Sequence, residues 1–194
     1  MPQAPGSPGA RQALPPAGAP LPPLPDGLLR AVLENARIAS TGANAQTLRF
    51  IAVQSSALVA QMQPLVRWAA YLPKEIGTPA EGERPVAFVV IVKKAGSGAF
   101  ADVDVGIAAN TIATTAWEAG VGSCLMASVN RAEIAALLGV PAEDTVFLVV
   151  ALGYPAHKST LVPVGADGSV KYYVDEKRDY FVPKRAFDDV AKIV

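Results

Sequence analysis

The residues best suited to chemistry in this 194-residue chain sit in two places. The polar run STGANAQT at residues 40–47 sets the hydroxyl of Thr41 and the amides of Asn44 and Gln46 between two apolar segments. Such neutral donors and acceptors can hold a polyhydroxyl chain or the edge of a heterocycle, and they equally suit a loop that satisfies its own backbone. Near the end of the chain Lys184 and Arg185 can neutralise a phosphate through charge-assisted hydrogen bonds, or stand solvated. Other chemistries run out of residues. One histidine, His157, and one cysteine, Cys124, exclude a four-ligand His/Cys zinc site and an intrachain disulfide. A Ser-His-Asp or Cys-His machine would have to use His157, just after a Gly-Tyr-Pro turn. No GxxxxGK[ST] loop occurs, and GVGSCL at Gly120 carries Leu125 where a dinucleotide fingerprint needs its third glycine. No dense acidic cluster suggests a two-metal site.

The elements that must position these groups follow from periodicity. Leu28, Leu29, Val32, Leu33, Ala36 and Ala39 recur at helical spacing after Asp26, a candidate cap, which predicts a helix over residues 26–39 leading into the polar run. LRFIAVQ reads as a buried strand, and an Ala-, Val- and Met-rich helix is predicted over residues 56–70. LPKEIGTPAEGERP has the composition of a loop, while VAFVVIV and TVFLVVALGYP read as central strands. Between them, Asp102 and Asp104 put negative charge where a helix begins, and Gly120 should end that helix. SCLMAS is a short extended piece, RAEIAALLG a short helix, VKYYVDE is strand-like, and a last helical turn begins near Lys184. Cys124 is expected to be a buried small hydrophobe and Glu83–Arg84 an ion pair or strand lead-in.

Composition bounds the partners. Equal numbers of basic and acidic residues, 17 each, argue against a nucleic acid or other polyanion, and no apolar run reaches the length of a membrane span. Nine of the 17 prolines fall in residues 1–25, where Arg11 is the only charge; this leader is expected to be extended or irregular, with the folded domain over residues 26–194. The single cysteine suits a reducing, cytoplasmic location.

Several segments, taken in order, resemble the nitroreductase family of FMN-dependent oxidoreductases. ENARIASTGANAQTLRFIAV is similar to the family's A-R-x-A-P-S-x-x-N-x-Q-P signature, and ERPVAFVVIV to its E-R-P strand. DVGIAANTIATTAWEAGVGSCLM resembles its central helix, which ends in G-x-G-S/T-C; VFLVVALGYP and VKYYVDE with YFVPKR resemble its closing strand and C-terminal arm. The resemblance implies an α+β fold, a three-layer sandwich with a mixed central sheet flanked by helices. It further implies a homodimer with FMN at the interface, NADH or NADPH as donor, and a ping-pong cycle that reduces a flat acceptor such as a nitroaromatic or quinone. Carried over by position, Thr41, Asn44 and Gln46 meet the ribityl chain or ring edge, Met126, Ala127 and Ser128 run beside the isoalloxazine, and Lys184 and Arg185 approach the phosphate. No side chain need act as acid or base, because the flavin carries the hydride. Trp68, Tyr71 and Lys74 lie in the linker that tends to cover the flavin.

The chain departs from the pattern where the family's N-terminal R-R-S-x-R holds the phosphate: only Arg11 stands there, and Ser40 and Thr47 replace two prolines of the signature. Each lost charge-assisted hydrogen bond costs about 1.5–3 kcal/mol, so two would weaken FMN by roughly two to four powers of ten. Two alternatives therefore stand beside the enzyme: a flavin-binding protein without turnover, and a cofactor-free dimeric scaffold.

Overall fold

The structure, a computed structural model, is described over residues 21–194; Arg11 and most of the leader lie outside the described residues. These fall into two compact units, one of residues 21–67 with 80–154 and one of residues 68–79 with 155–194. In chain order the elements are α1 (Leu28–Ile38), β1 (Leu48–Val53), α2 (Ser56–Met62), α3 (Lys74–Gly77), β2 (Ala87–Lys93), α4 (Ala101–Glu118), β3 (Gly122–Met126) and α5 (Arg131–Leu138). Then follow β4 (Thr145–Gly153), β5 (Ser159–Pro163), β6 (Tyr173–Val174), β7 (Tyr180–Lys184) and α6 (Phe187–Val190).

The larger unit is built on a four-stranded sheet in the order β1-β2-β4-β3, antiparallel at every pairing. Its central strands are the two continuous apolar runs, as residues buried on both faces require. Ala87, Val89 and Ile91 of β2 join Val150 and Leu152 of β4 in one core with Val32 and Ala36 of α1 and Val105, Ala108 and Ile112 of α4. The alternate residues Phe88, Val90 and Val92 are just as buried and project to the other face, where α5 packs on β4. Helices on both faces make the three-layer α+β sandwich that the motif order implies. The central sheet was expected to be mixed but is antiparallel throughout; a parallel pairing occurs in the smaller unit, whose sheet β5-β7-β6 has one parallel and one antiparallel pairing.

Local chemistry moved several boundaries. Asp26 makes no cap: α1 starts after Gly27 in the left-handed region, φ 74°. The helix expected to reach residue 70 ends at Met62, because Pro64 offers no N–H and pushes the chain into a 3₁₀ turn at Gln63–Leu65 and then extended backbone at Val66. The supposed loop before β2 holds α3 and a 3₁₀ turn at Glu81–Glu83. Gly120 and Gly139 end α4 and α5 with positive φ, as their positions suggest. Leu24 at the end of the leader is buried in the core, and Pro23 accepts a 2.8 Å hydrogen bond from the Tyr154 hydroxyl.

Candidate functional site

Residues 39–47 leave the end of α1 and return as β1 through an unusual backbone. Thr41 is extended, Gly42–Asn44 form a 3₁₀ turn, and Ala43, Asn44 and Gln46 all have φ between 50° and 54°. Asparagine visits this left-handed region readily, but for other L-residues it costs roughly 1–2 kcal/mol, so Ala43 and Gln46 hold it only because neighbours impose it. Thr41 supplies the local ties: its carbonyl accepts from Asn44 N–H at 3.0 Å and its Oγ1 from Gln46 N–H at 3.3 Å. Arg49 braces the exit, its Nη1 donating to the carbonyls of Gln46 at 3.1 Å and Leu48 at 2.7 Å. From α4, the Asp104 carboxylate accepts the Gly42 N–H at 2.8 Å.

Beside this loop lies a cavity of about 280 Å³, walled by Ala36, Leu48, Phe50 and Ala108. Its polar lining comes from Arg37, Ser40, Thr41, Gln46, Arg49 and Asp104. Arg37 forms a bidentate pair with Glu34 at 2.6 and 2.7 Å, which holds the carboxyl below and the guanidinium above their ordinary values. Arg49 bonds the two carbonyls through Nη1, and among the described residues its Nε and Nη2 donors meet no carboxylate, which suits them to an acceptor-rich ligand.

Of the other predicted residues in the larger unit, Asn44, Met126, Ala127 and Ser128 do not line this cavity. Asn44 is exposed on the loop without lining it. Met126 is buried at the end of the edge strand β3, and Ala127 and Ser128 follow it in the open, their carbonyls accepting from Arg131 Nη2 at 3.2 Å and Arg67 N–H at 3.0 Å. Lys184 and Arg185 are exposed at the end of β7 in the smaller unit. Arg11 lies outside the described residues. Cys124 is not the buried hydrophobe that was expected. It sits exposed on β3, which as an edge strand is paired on one side only, and partial desolvation pushes its thiol up. Tyr71 and Tyr172 pack their rings 5.1 Å apart within the smaller unit, where Tyr71 N–H also donates to the Tyr172 hydroxyl.

The nitroreductase family model matches residues 20–154, more than two thirds of the chain. The chain belongs to the nitroreductase family. That membership places it among oxidoreductases, and the matched stretch includes the whole Thr41–Gln46 loop and its cavity while stopping before β5. Solved structures agree in fold. An FMN-dependent nitroreductase of Clostridium difficile R20291 is 20% identical with a TM-score of 0.57, over 71% of this chain and 80% of that one. The hypothetical oxidoreductase YcnD of Bacillus subtilis is 19% identical with a TM-score of 0.57, over 80% and 69%. A nitroreductase family protein of Streptococcus pneumoniae TIGR4 is 13% identical with a TM-score of 0.57, over 71% and 84%. No curated protein matches the sequence.

Sequence reasoning missed Arg37, Arg49 and Asp104 as part of this cavity's lining. Arg49 carried one signal, a cation interrupting the apolar strand LRFIAV beside the polar run. Asp104 was legible as a helix-start charge and as the first residue of the central-helix segment DVGIAAN, with no role at the loop.

Proposed function

We propose that the protein is an FMN-dependent oxidoreductase that acts as a cytoplasmic homodimer and passes hydride from NADH or NADPH to a flat acceptor such as a nitroaromatic or quinone. In this reading residues 26–194 serve as one FMN-binding domain behind the leader at residues 1–25. The observation that carries it is the strained Thr41–Gln46 loop, held open beside a cavity whose rim offers a hydroxyl, an amide and guanidinium donors. Such a donor set fits the acceptor-rich parts of FMN. The cavity of about 280 Å³ falls just under the usual range for ligand pockets, roughly 300–1,000 Å³, and so takes only part of the cofactor. A second copy of the chain supplies the rest, in keeping with Phe100, Val103 and Trp117, which leave apolar surface exposed along α4.

Bound FMN supplies the hydride chemistry, which accounts for a chain without an acid–base constellation. The protein's part is to hold and orient. Thr41, Asn44 and Gln46 direct the ribityl chain or ring edge, and Arg49 neutralises nearby negative charge without losing its grip on the loop. The main chain of Met126, Ala127 and Ser128 would flank the ring of bound FMN, where a backbone N–H would stabilise negative charge. Lys184 and Arg185, with Arg11, serve the phosphate. The sparse N-terminal cations favour one rival, the cofactor-free scaffold. Titration of the apo protein by flavin fluorescence quenching separates the two: saturable quenching supports the oxidoreductase, and no quenching at high micromolar protein supports the scaffold.

A further inference from the structure

We infer that Asp104 is a positioning residue, whose buried carboxylate fixes the backbone of the Thr41–Gln46 loop in the shape that receives the flavin. The inference rests on the flavin reading of the site and adds to it a device on α4 that sets the loop's conformation. Asp104 is 2% exposed and is the one buried charged side chain among the described residues. A carboxylate in that position is costly unless it is bonded. It is compensated by the Gly42 N–H at 2.8 Å and by its place in the first turn of the 18-residue α4, where the helix dipole favours negative charge.

The same helical turn grips the loop a second time. Phe100, four residues earlier, lays its ring against Gly42 so closely that a Cβ there would lie 2.3 Å from Cδ1. Gly42 is thus held through its amide by Asp104 and across its Cα by Phe100. The next residues need that hold, because Ala43 and Gln46 sit in the left-handed region without the glycine or asparagine that favours it. The local ties from Thr41 include a long one, 3.3 Å, whereas Asp104 reaches the loop from 62 residues away and anchors it to the core helix. Asp104 also lines the cavity, so the anchor and the proposed ligand surface are contiguous. A loop released from α4 would spend only part of its time in the binding shape, and apparent affinity would fall by that fraction.

The test uses the full-length chain as wild type, Asp104→Ala and Asp104→Asn, with amide hydrogen exchange of the loop read without FMN and FMN affinity read by fluorescence quenching. Asp104→Ala should speed exchange at Gly42 and its loop and weaken FMN by about tenfold or more, while Asp104→Asn, which keeps an acceptor oxygen, should stay within about threefold on both. That rescue separates positioning from general loss of packing. If Asp104→Ala does not fold, Asp104→Ser, polar but too short to reach Gly42, carries the same expectation. Loop exchange unchanged in these variants, or a loosened loop with unchanged FMN affinity, would overturn the inference. A wild type that takes up no FMN overturns the flavin reading instead, and the exchange rates still decide whether Asp104 fixes the loop.

Discussion

Replacing Gly42 by alanine adds one methyl group where the structure has no room. Gly42 has no positive φ, so the backbone accepts alanine, but its Cβ would meet Phe100 at 2.3 Å from Cδ1, 2.9 Å from Cγ and 3.0 Å from Cε1. Contact at about 3.5 Å requires the ring to retreat by about 1 Å or to swing into solvent. The ring is already 58% exposed, so swinging is the easier path. A phenylalanine has about 200 Å² of surface, of which some two fifths is covered here; at about 25 cal/mol per Å² its release costs about 2 kcal/mol. Alanine returns roughly 0.4–1 kcal/mol by narrowing the unfolded ensemble. The net loss is about 1–2 kcal/mol, a fall in Tm of roughly 2–8 °C for a chain of this size. Calorimetric melts of wild type, Gly42→Ala, Phe100→Ala and the double variant measure it. In the Phe100→Ala background the methyl group has nothing to strike, so Gly42→Ala should there be neutral or slightly stabilising. Equal losses in both backgrounds would refute the steric account.

Three further outcomes follow from the same geometry. Phe88→Ala, at a fully buried position in the central strand β2, should cost about 3–5 kcal/mol in urea unfolding, a large part of the stability of a domain of this kind. Gly139→Ala, at the left-handed end of α5 with φ 65° and open space around it, should cost about 1 kcal/mol through backbone strain alone, read in the same titration. Tyr154, whose phenol is raised above its ordinary value of 10.0 by desolvation, lends stability that is complete below pH 10 and disappears as pH rises through the higher folded-state value. Denaturation midpoints measured from pH 8 upward should therefore fall more steeply for wild type than for Tyr154→Phe.

How far the sequence foretold this structure depends on whether a residue's conformation is set locally. The apolar runs of β2 and β4 and the glycine-stopped α4 and α5 declare themselves, since burial on both faces and a left-handed cap each have a residue signature. Pro64 was equally visible, yet the apolar spacing beyond it suggested a longer helix; the missing N–H prevailed over periodicity. At the site, the polar character of Thr41, Asn44 and Gln46 could be read directly. The left-handed backbone at Ala43 and Gln46 could not, because neither residue type prefers it and the constraint comes from Asp104, far along the chain. Cys124 looked like core from its neighbours, but β3 fell at the edge of the sheet, a property of strand order that no local pattern carries.

The central claim, an oxidoreductase that works through bound FMN, is tested most directly by the anaerobic visible spectrum of FMN-loaded, gel-filtered protein before and after NADH or NADPH. Oxidised-flavin bands at about one FMN per chain should bleach on addition of one of the two donors and return when a quinone is supplied. Flavin lost on the column, or flavin retained and left unbleached by both donors, would contradict that claim.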